Sequence, residues 1–220
     1  MTVDSVERSY RLVVPLRKAS IDPRPLVIAL HGALDTTDEM AAYTQLDRFA
    51  IEKDFILVYP QGRNLNWPPL IPEDNPTLAE PDYRFIDSLC EHLVQNQNAD
   101  PKRIYVVGVS MGGAMCNLLL ANRSERFAAA VCNCGWLPDP LGKTPLNTKN
   151  KCPILFITGS EDRQVSPAQV EAARDAFKKD GHPTKLHTIP GFGHGWALKR
   201  GINEEVWTFL EPNHLSTNAQ

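Results

Sequence analysis

The sequence has no apolar run approaching the ~20 residues that span a bilayer. Its opening, Met1 to Ser9, is polar and charged and does not read as a signal peptide, so the chain is expected in the cytoplasm. A formal net charge of -3 gives no basic footprint for nucleic acid or an anionic membrane surface. Five cysteines (Cys90, Cys116, Cys132, Cys134 and Cys152) cannot all pair, and Cys132 and Cys134 sit too close along one strand for an easy bridge. Buried, reduced thiols are expected, in keeping with a reducing compartment. No Cys/His spacing resembles a zinc site, and neither a metal nor a cofactor is expected. Repeats and low-complexity segments are absent. At 220 residues the chain is read as one domain, 1–220, large enough for a real core. The oligomeric state is left open.

What is present centres on Ile104 to Gly113. A β-branched run ends in Gly108-Val109-Ser110-Met111-Gly112, and an apolar segment of small residues follows at once. This reads as strand, sharp turn, helix, with the Ser110 hydroxyl exposed at the turn. The glycines allow a strained backbone and a close strand–helix approach. The Met111 amide lies at a helix N-terminus, where a negative oxygen is favoured.

Around this unit, apolar strands and amphipathic helices alternate. An early strand is read over Val6–Leu16, at a sheet edge, and buried strands over Leu26–Leu30 and Phe55–Tyr59. One helix is expected from Thr36 to Lys53 and another from Tyr83 to Val94. Met111–Ala121 is apolar nearly all round and reads as a buried helix. Further strands are expected at Phe127–Cys134, Pro153–Thr158 and Thr184–Ile189. Ser166, Pro167 and Gln169 start a helix that stops at Gly181. A last helix covers Ile202–Leu210, and the tail after Pro212 is polar. Two Pro-rich stretches, Arg63–Pro81 and Gly135–Lys151, are irregular. Such alternation implies an α/β fold, a mainly parallel sheet with helices on both faces. Ligand sites in such sheets lie at the carboxyl ends of the strands.

Four positions fall on that rim: His31, Ser110, Asp162 and His194. A serine hydroxyl needs a base to take its proton, and the base needs a third group to fix its tautomer. Ser110, Asp162 and His194 follow strands in the order serine, acid, histidine. Glu161 and Asp139 are the rival acids. Among the other histidines, His31 precedes Ser110 and suits an oxyanion loop, His92 is on a helix, His182 and His187 sit in a turn and a strand, and His214 is in the tail. Two backbone donors would complete an oxyanion hole. Met111 is one; Ala33 is the choice for the other, with Leu34 in reserve. Trp196, Trp136, Trp67 and Leu34 are candidates to line a substrate pocket.

These residues resemble the α/β-hydrolases of the polyhydroxybutyrate-depolymerase, feruloyl-esterase and acetylxylan-esterase group. The matching pieces are Leu30-His31-Gly32, Val58 to Gly62, Asp100 to Gly113, Gly159 to Asp162 with Val165, and Gly193 to Trp196. The resemblance implies an α/β-hydrolase fold and a serine ester hydrolase using Ser110, Asp162 and His194 without a cofactor; the prolines after Trp67 and the short second irregular stretch leave little room for a large lid, so a minimal lid is expected. Small or aryl-alkyl esters are the expected substrates. A thioesterase or peptidase on the same machinery, or a catalytically silent binding module, are the alternatives. Many members of the group are secreted and carry a signal peptide, unlike this sequence. The related dienelactone hydrolases are similar in size but would put Cys where Ser110 stands.

Overall fold

The computed structural model describes residues 1–16, 22–68, 78–138, 141 and 145–215. The centre of the first Pro-rich stretch (69–77), Asp139, Pro140 and the last five residues of the tail lie outside the described residues, and so does much of what bears on a lid.

A small ribbon opens the chain. Strand β1 (Thr2–Val3) pairs antiparallel with β2 (Val6–Glu7) across Asp4 and Ser5, which take φ of 49° and 64°. Two successive positive-φ residues make a tight hairpin turn. The early strand expected over Val6–Leu16 is therefore broken, and only β3 (Tyr10–Val13) joins the main sheet. It lies at the edge, antiparallel to β5 (Ile56–Pro60).

The main sheet has the order β3-β5-β4-β6-β7-β8-β9, with β4 (Arg24–Leu30), β6 (Ala99–Val109), β7 (Ala129–Asn133), β8 (Ile154–Gly159) and β9 (Thr184–Ile189). Apart from β3, all neighbours run parallel. Strands β4 and β8 are almost wholly apolar because both faces are covered. Helices α3 (Glu80–Gln97), α4 (Met111–Arg123) and α5 (Pro167–Lys179) pack with Leu26, Ile28, Val58 and Val106 on one face. Helices α1 (Thr37–Thr44), α2 (Leu46–Lys53) and α6 (Ile202–Leu210) pack with Val27, Ala29, Leu57 and Val107 on the other.

The single helix expected over Thr36–Lys53 is in fact two. Gln45 takes φ 53° and ends α1, its N–H donating to Ala41 O. The Thr44 hydroxyl donates to Met40 O at 2.7 Å and accepts from Leu46 N–H at 3.4 Å, so a side chain bridges the break. The apolar spacing survives the kink because both halves face the same layer, which hides the break from periodicity.

Strand order positions the site. Strand β4 stands between β5 and β6, so the chain crosses one face after β4 and the other after β5. The carboxyl ends of β4 and β6 then form the crevice where ligands bind in such sheets. The pairing of Leu30 with Gly108 brings the His31 loop beside Ser110.

At the opposite end of the molecule, Asp180 pins the second irregular stretch. It accepts Asn147 N–H at 2.9 Å, Thr148 N–H at 3.1 Å and the Lys151 ammonium at 2.7 Å. Burial opposes its ionisation, but Lys151 and Thr148 outweigh this and hold its pKa at about 2, below the ordinary 3.8. A depressed carboxyl stabilises the fold above its unfolded pKa and loses that contribution as pH falls through the folded one. Asp180→Asn should thus cost roughly 2 kcal/mol at pH 7, and the difference from wild type should vanish between about pH 4 and pH 2. Urea unfolding across that range checks it; a pH-independent difference would contradict it.

Candidate active site

A single residue separates β6 from α4. Ser110 takes φ 57° and ψ -118°, a conformation that costs a non-glycine residue about 1–3 kcal/mol. Its N–H donates to Asn133 O at 2.9 Å, and its carbonyl accepts Ala114 N–H at 2.9 Å. Close backbone packing fixes the turn. A Cβ on Gly112 would lie 2.1 Å from Leu30 O, so α4 sits on the sheet with no side chain between them. Met111, the first residue of α4, carries an N–H with no partner one turn earlier in its own helix.

The acid and the histidine are brought together by two joined loops. Gly159 pairs with Ile189 at the ends of β8 and β9. Beyond them, Ser160 N–H donates to Ile189 O (3.0 Å), Glu161 N–H to Phe192 O (2.9 Å) and Gly191 N–H to Ser160 Oγ (2.8 Å). A Cβ on Gly159 would meet Phe192 O at 2.2 Å, so only glycine allows this contact. The result is a 2.7 Å hydrogen bond between His194 Nδ1 and Asp162 Oδ2. Asp162 is 4% exposed. Its Oδ1 accepts Gln164 N–H at 2.9 Å and Val165 N–H at 3.0 Å. Burial favours the protonated acid, yet the Val165 amide, the His194 ring and the Gln164 amide outweigh it and hold the pKa below the usual range. An ionised carboxylate only accepts, so the proton sits on His194 Nδ1 and Nε2 is left unprotonated.

Two neighbours complete this corner. Asn133 Nδ2 donates to Gly195 O at 2.9 Å, tying the histidine loop to the end of β7. The Cys134 sulfur, an Asp162 oxygen and a His194 nitrogen lie within 4.8 Å of one another. Burial pushes the Cys134 thiol up to about 12, so it stands protonated beside the carboxylate.

The loop after β4 is held from both sides. His31 is fully buried. Its Nε2 accepts Gly62 N–H at 3.0 Å and faces Gln61 Nε2 at 2.9 Å, and its Nδ1 lies 2.7 Å from Gly32 O. Because Nε2 accepts the Gly62 amide, the proton is on Nδ1 and is donated to Gly32 O. Burial pulls the His31 pKa down, which keeps this neutral form. Asp35 Oδ2 accepts Gly32 N–H at 3.1 Å and the Tyr43 hydroxyl at 3.2 Å. Leu34 N–H donates to Leu65 O at 2.8 Å. Ala33 is left at the exposed tip.

Ser110 and His194 line one open cleft of about 300 Å³, together with Gly32, Ala33, Asp35, Tyr43, Gln164 and Trp196. A strained serine on the same cleft as a histidine held by a buried carboxylate is an arrangement that can support acyl transfer.

Family comparisons agree with this reading of the fold. The model of the Dienelactone hydrolase family matches residues 79–209, and that of Esterase PHB depolymerase matches residues 8–138. The chain belongs to these α/β-hydrolase families. Unlike the pattern expected of dienelactone hydrolases, this chain has Ser110 rather than Cys at the turn. NocK of Nocardia uniformis subsp. tsuyamanensis is 30% identical over 225 residues, covering 97% of this chain and 64% of that protein. Feruloyl esterase B of Neurospora crassa is 32% identical over 112 residues, 50% of this chain and 38% of that one. The chain thus spans under two thirds of these relatives. In fold, it is similar to a thermostable esterase, with TM-score 0.77 and 24% identity over 96% of this chain and 60% of the other.

The expected site residues separate into two groups. Ser110, Ala33, His194 and Trp196 reach this α/β-hydrolase cleft, and Asp162 reaches His194. Trp196 is also anchored, its indole N–H donating to Asn203 Oδ1 at 2.8 Å. Trp67 is a correction: it is 1% exposed, its indole N–H donates to His31 O at 3.1 Å, and its ring lies 5.1 Å from the His31 ring. It supports the loop from below and does not line the cleft. Leu34 is not among the lining residues; its amide is taken by Leu65 O and its side chain is 70% exposed. Trp136 packs against the core under α4 and is not among the lining residues. Glu161 is not the acid in contact with His194.

Sequence reading missed Gln61, although its motif was in view. Besides facing His31, its Nε2 donates to Asp35 O at 3.2 Å, and its Oε1 accepts Thr37 N–H at 3.1 Å. One side chain thus clamps both ends of the loop. Beneath it, buried Asp82 accepts from Arg8 at 2.7 Å and Arg63 at 3.1 Å, and Arg8 also donates to Gln61 O at 3.3 Å. Gln61→Glu keeps the acceptor and loses both donors, at about 1 kcal/mol each. Hydrogen exchange at the Gly32 and Leu34 amides should quicken by roughly 30-fold, with β8 amides unchanged. Unaltered exchange in the loop would contradict the clamp.

Proposed function

We propose that the protein is a serine carboxylic-ester hydrolase for small or aryl-alkyl esters, with Ser110 as nucleophile, His194 as base and Asp162 as its orienting acid. The observation that carries this is the 2.7 Å His194–Asp162 bond placed on the same cleft as the strained Ser110. Family membership supports it.

His194 Nε2 takes the Ser110 proton as Oγ attacks the ester carbonyl carbon. The carbonyl oxygen becomes an oxyanion, held by the N–H groups of Met111 and Ala33. Asp162 stabilises the imidazolium through Nδ1–H. The tetrahedral intermediate collapses, the C–O bond to the alcohol breaks, and His194 returns its proton to the leaving oxygen. Water then repeats the cycle on the acyl-enzyme, releasing the acid and free Ser110. The Leu34 amide already donates to Leu65 O, which supports Ala33 as the second donor.

The cleft volume of about 300 Å³ supports short acyl groups. Among the described residues no helix is long and apolar enough to cross a membrane. The five cysteines are free and buried, which supports a reducing setting such as the cytoplasm.

Initial rates on p-nitrophenyl esters from acetate to decanoate, with methyl ferulate alongside, test this reading. Turnover should be highest on short chains and fall at least ~10³-fold in Ser110→Ala. Undiminished turnover in that variant, or none on any ester in wild type, would refute it.

A further inference from the structure

Among the described lining residues the cleft carries one carboxylate. Its lining includes Asp35 and neither lysine nor arginine among the described residues. Asp35 forms no ion pair with a described lysine or arginine; its Oδ2 is held by two neutral donors, the Gly32 amide and the Tyr43 hydroxyl. The carboxylate is close to the chemistry. The point a Cβ on Gly32 would occupy lies 2.9 Å from Asp35 Oδ2 and 3.7 Å from Ser110 Cβ. Tyr43 cannot share the charge by ionising, since burial and then the Asp35 charge raise its phenol far above neutrality. The same charge is felt by His31 through the loop.

Building on the esterase reading, we infer that Asp35 is a specificity residue that selects neutral or cationic esters and rejects those carrying a carboxylate near the scissile bond. A substrate anion entering this cleft meets a fixed like charge within a few ångströms and, among the described lining residues, no lysine or arginine to offset it. Like-charge apposition at such range in a half-open site should disfavour the anionic substrate roughly 5- to 50-fold. Two neutral hydrogen bonds hold the carboxylate in place, so the group does not swing away. Asn at position 35 can keep an oxygen toward Gly32 N–H and Tyr43 while removing the charge.

The test compares kcat/KM within matched pairs: p-nitrophenyl butyrate against mono-p-nitrophenyl succinate for the acyl side, and phenyl acetate against 4-acetoxybenzoate for the alcohol side. Only the neutral-to-anionic ratio is read, which cancels any general loss in a variant. Asp35→Asn should lower that ratio at least fivefold on one of the pairs. In wild type the same ratio should shrink between 20 mM and 500 mM salt, an effect that a purely structural role would not produce. Ratios that move with neither charge removal nor salt overturn the inference and leave the esterase reading standing. Absence of hydrolysis on all four esters would overturn both.

Discussion

Backbone-to-backbone contact between α4 and the sheet is the constraint on which the rest depends. Gly112 stands where any Cβ would strike Leu30 O, and Gly108 where one would strike Gly112 O. Without side chains between them, helix and strands close to a distance that forces Ser110 into φ 57°. The strain is tolerated because β4, β6 and β7 are paired on either side and buried in two apolar layers. The position of Ser110 is therefore a property of packing rather than of the turn alone.

The same logic repeats at the other rim of the cleft. Gly159 lets the acid loop touch the histidine loop, and backbone hydrogen bonds between them set His194 against Asp162. The third element, the loop after β4, has no such glycine contact with β8 or β9. It is held by side chains instead: His31 in its neutral form, Gln61 across the base and Asp35 at the tip. The electrostatic cost of that last choice is a carboxylate in the cleft, and substrate charge is where it would be felt.

Much of this was legible in the sequence, and the reasons differ by element. Buried parallel strands announce themselves as continuous apolar runs, which Ser110 and Asp162 follow, while His194 follows the alternating edge strand β9; their shared rim could be read from strand order alone. The capping box at Ser166 and Gln169 was equally plain. The break at Gln45 was not, because the apolar spacing continues through it. Trp67 was misplaced since an aromatic beside a Pro-rich stretch gives no sign of whether its indole N–H turns inward to His31 O. The bond from Leu34 N–H to Leu65 O, which distinguishes Leu34 from Ala33 in the loop, is a contact 31 residues away that no local pattern encodes. Gln61 illustrates the same limit: a polar residue after a strand looks like an ordinary turn until its three partners are known.

The central claim is that this geometry makes Ser110, among all the serines, an activated nucleophile. A fluorophosphonate reports that directly, since attack forms a P–O bond at the reactive hydroxyl and expels fluoride. Peptide mass spectrometry of the treated protein should find a single adduct, on Ser110, formed far more slowly in His194→Ala. An unlabelled Ser110, or an adduct on another side chain with Ser110 intact, would contradict the account.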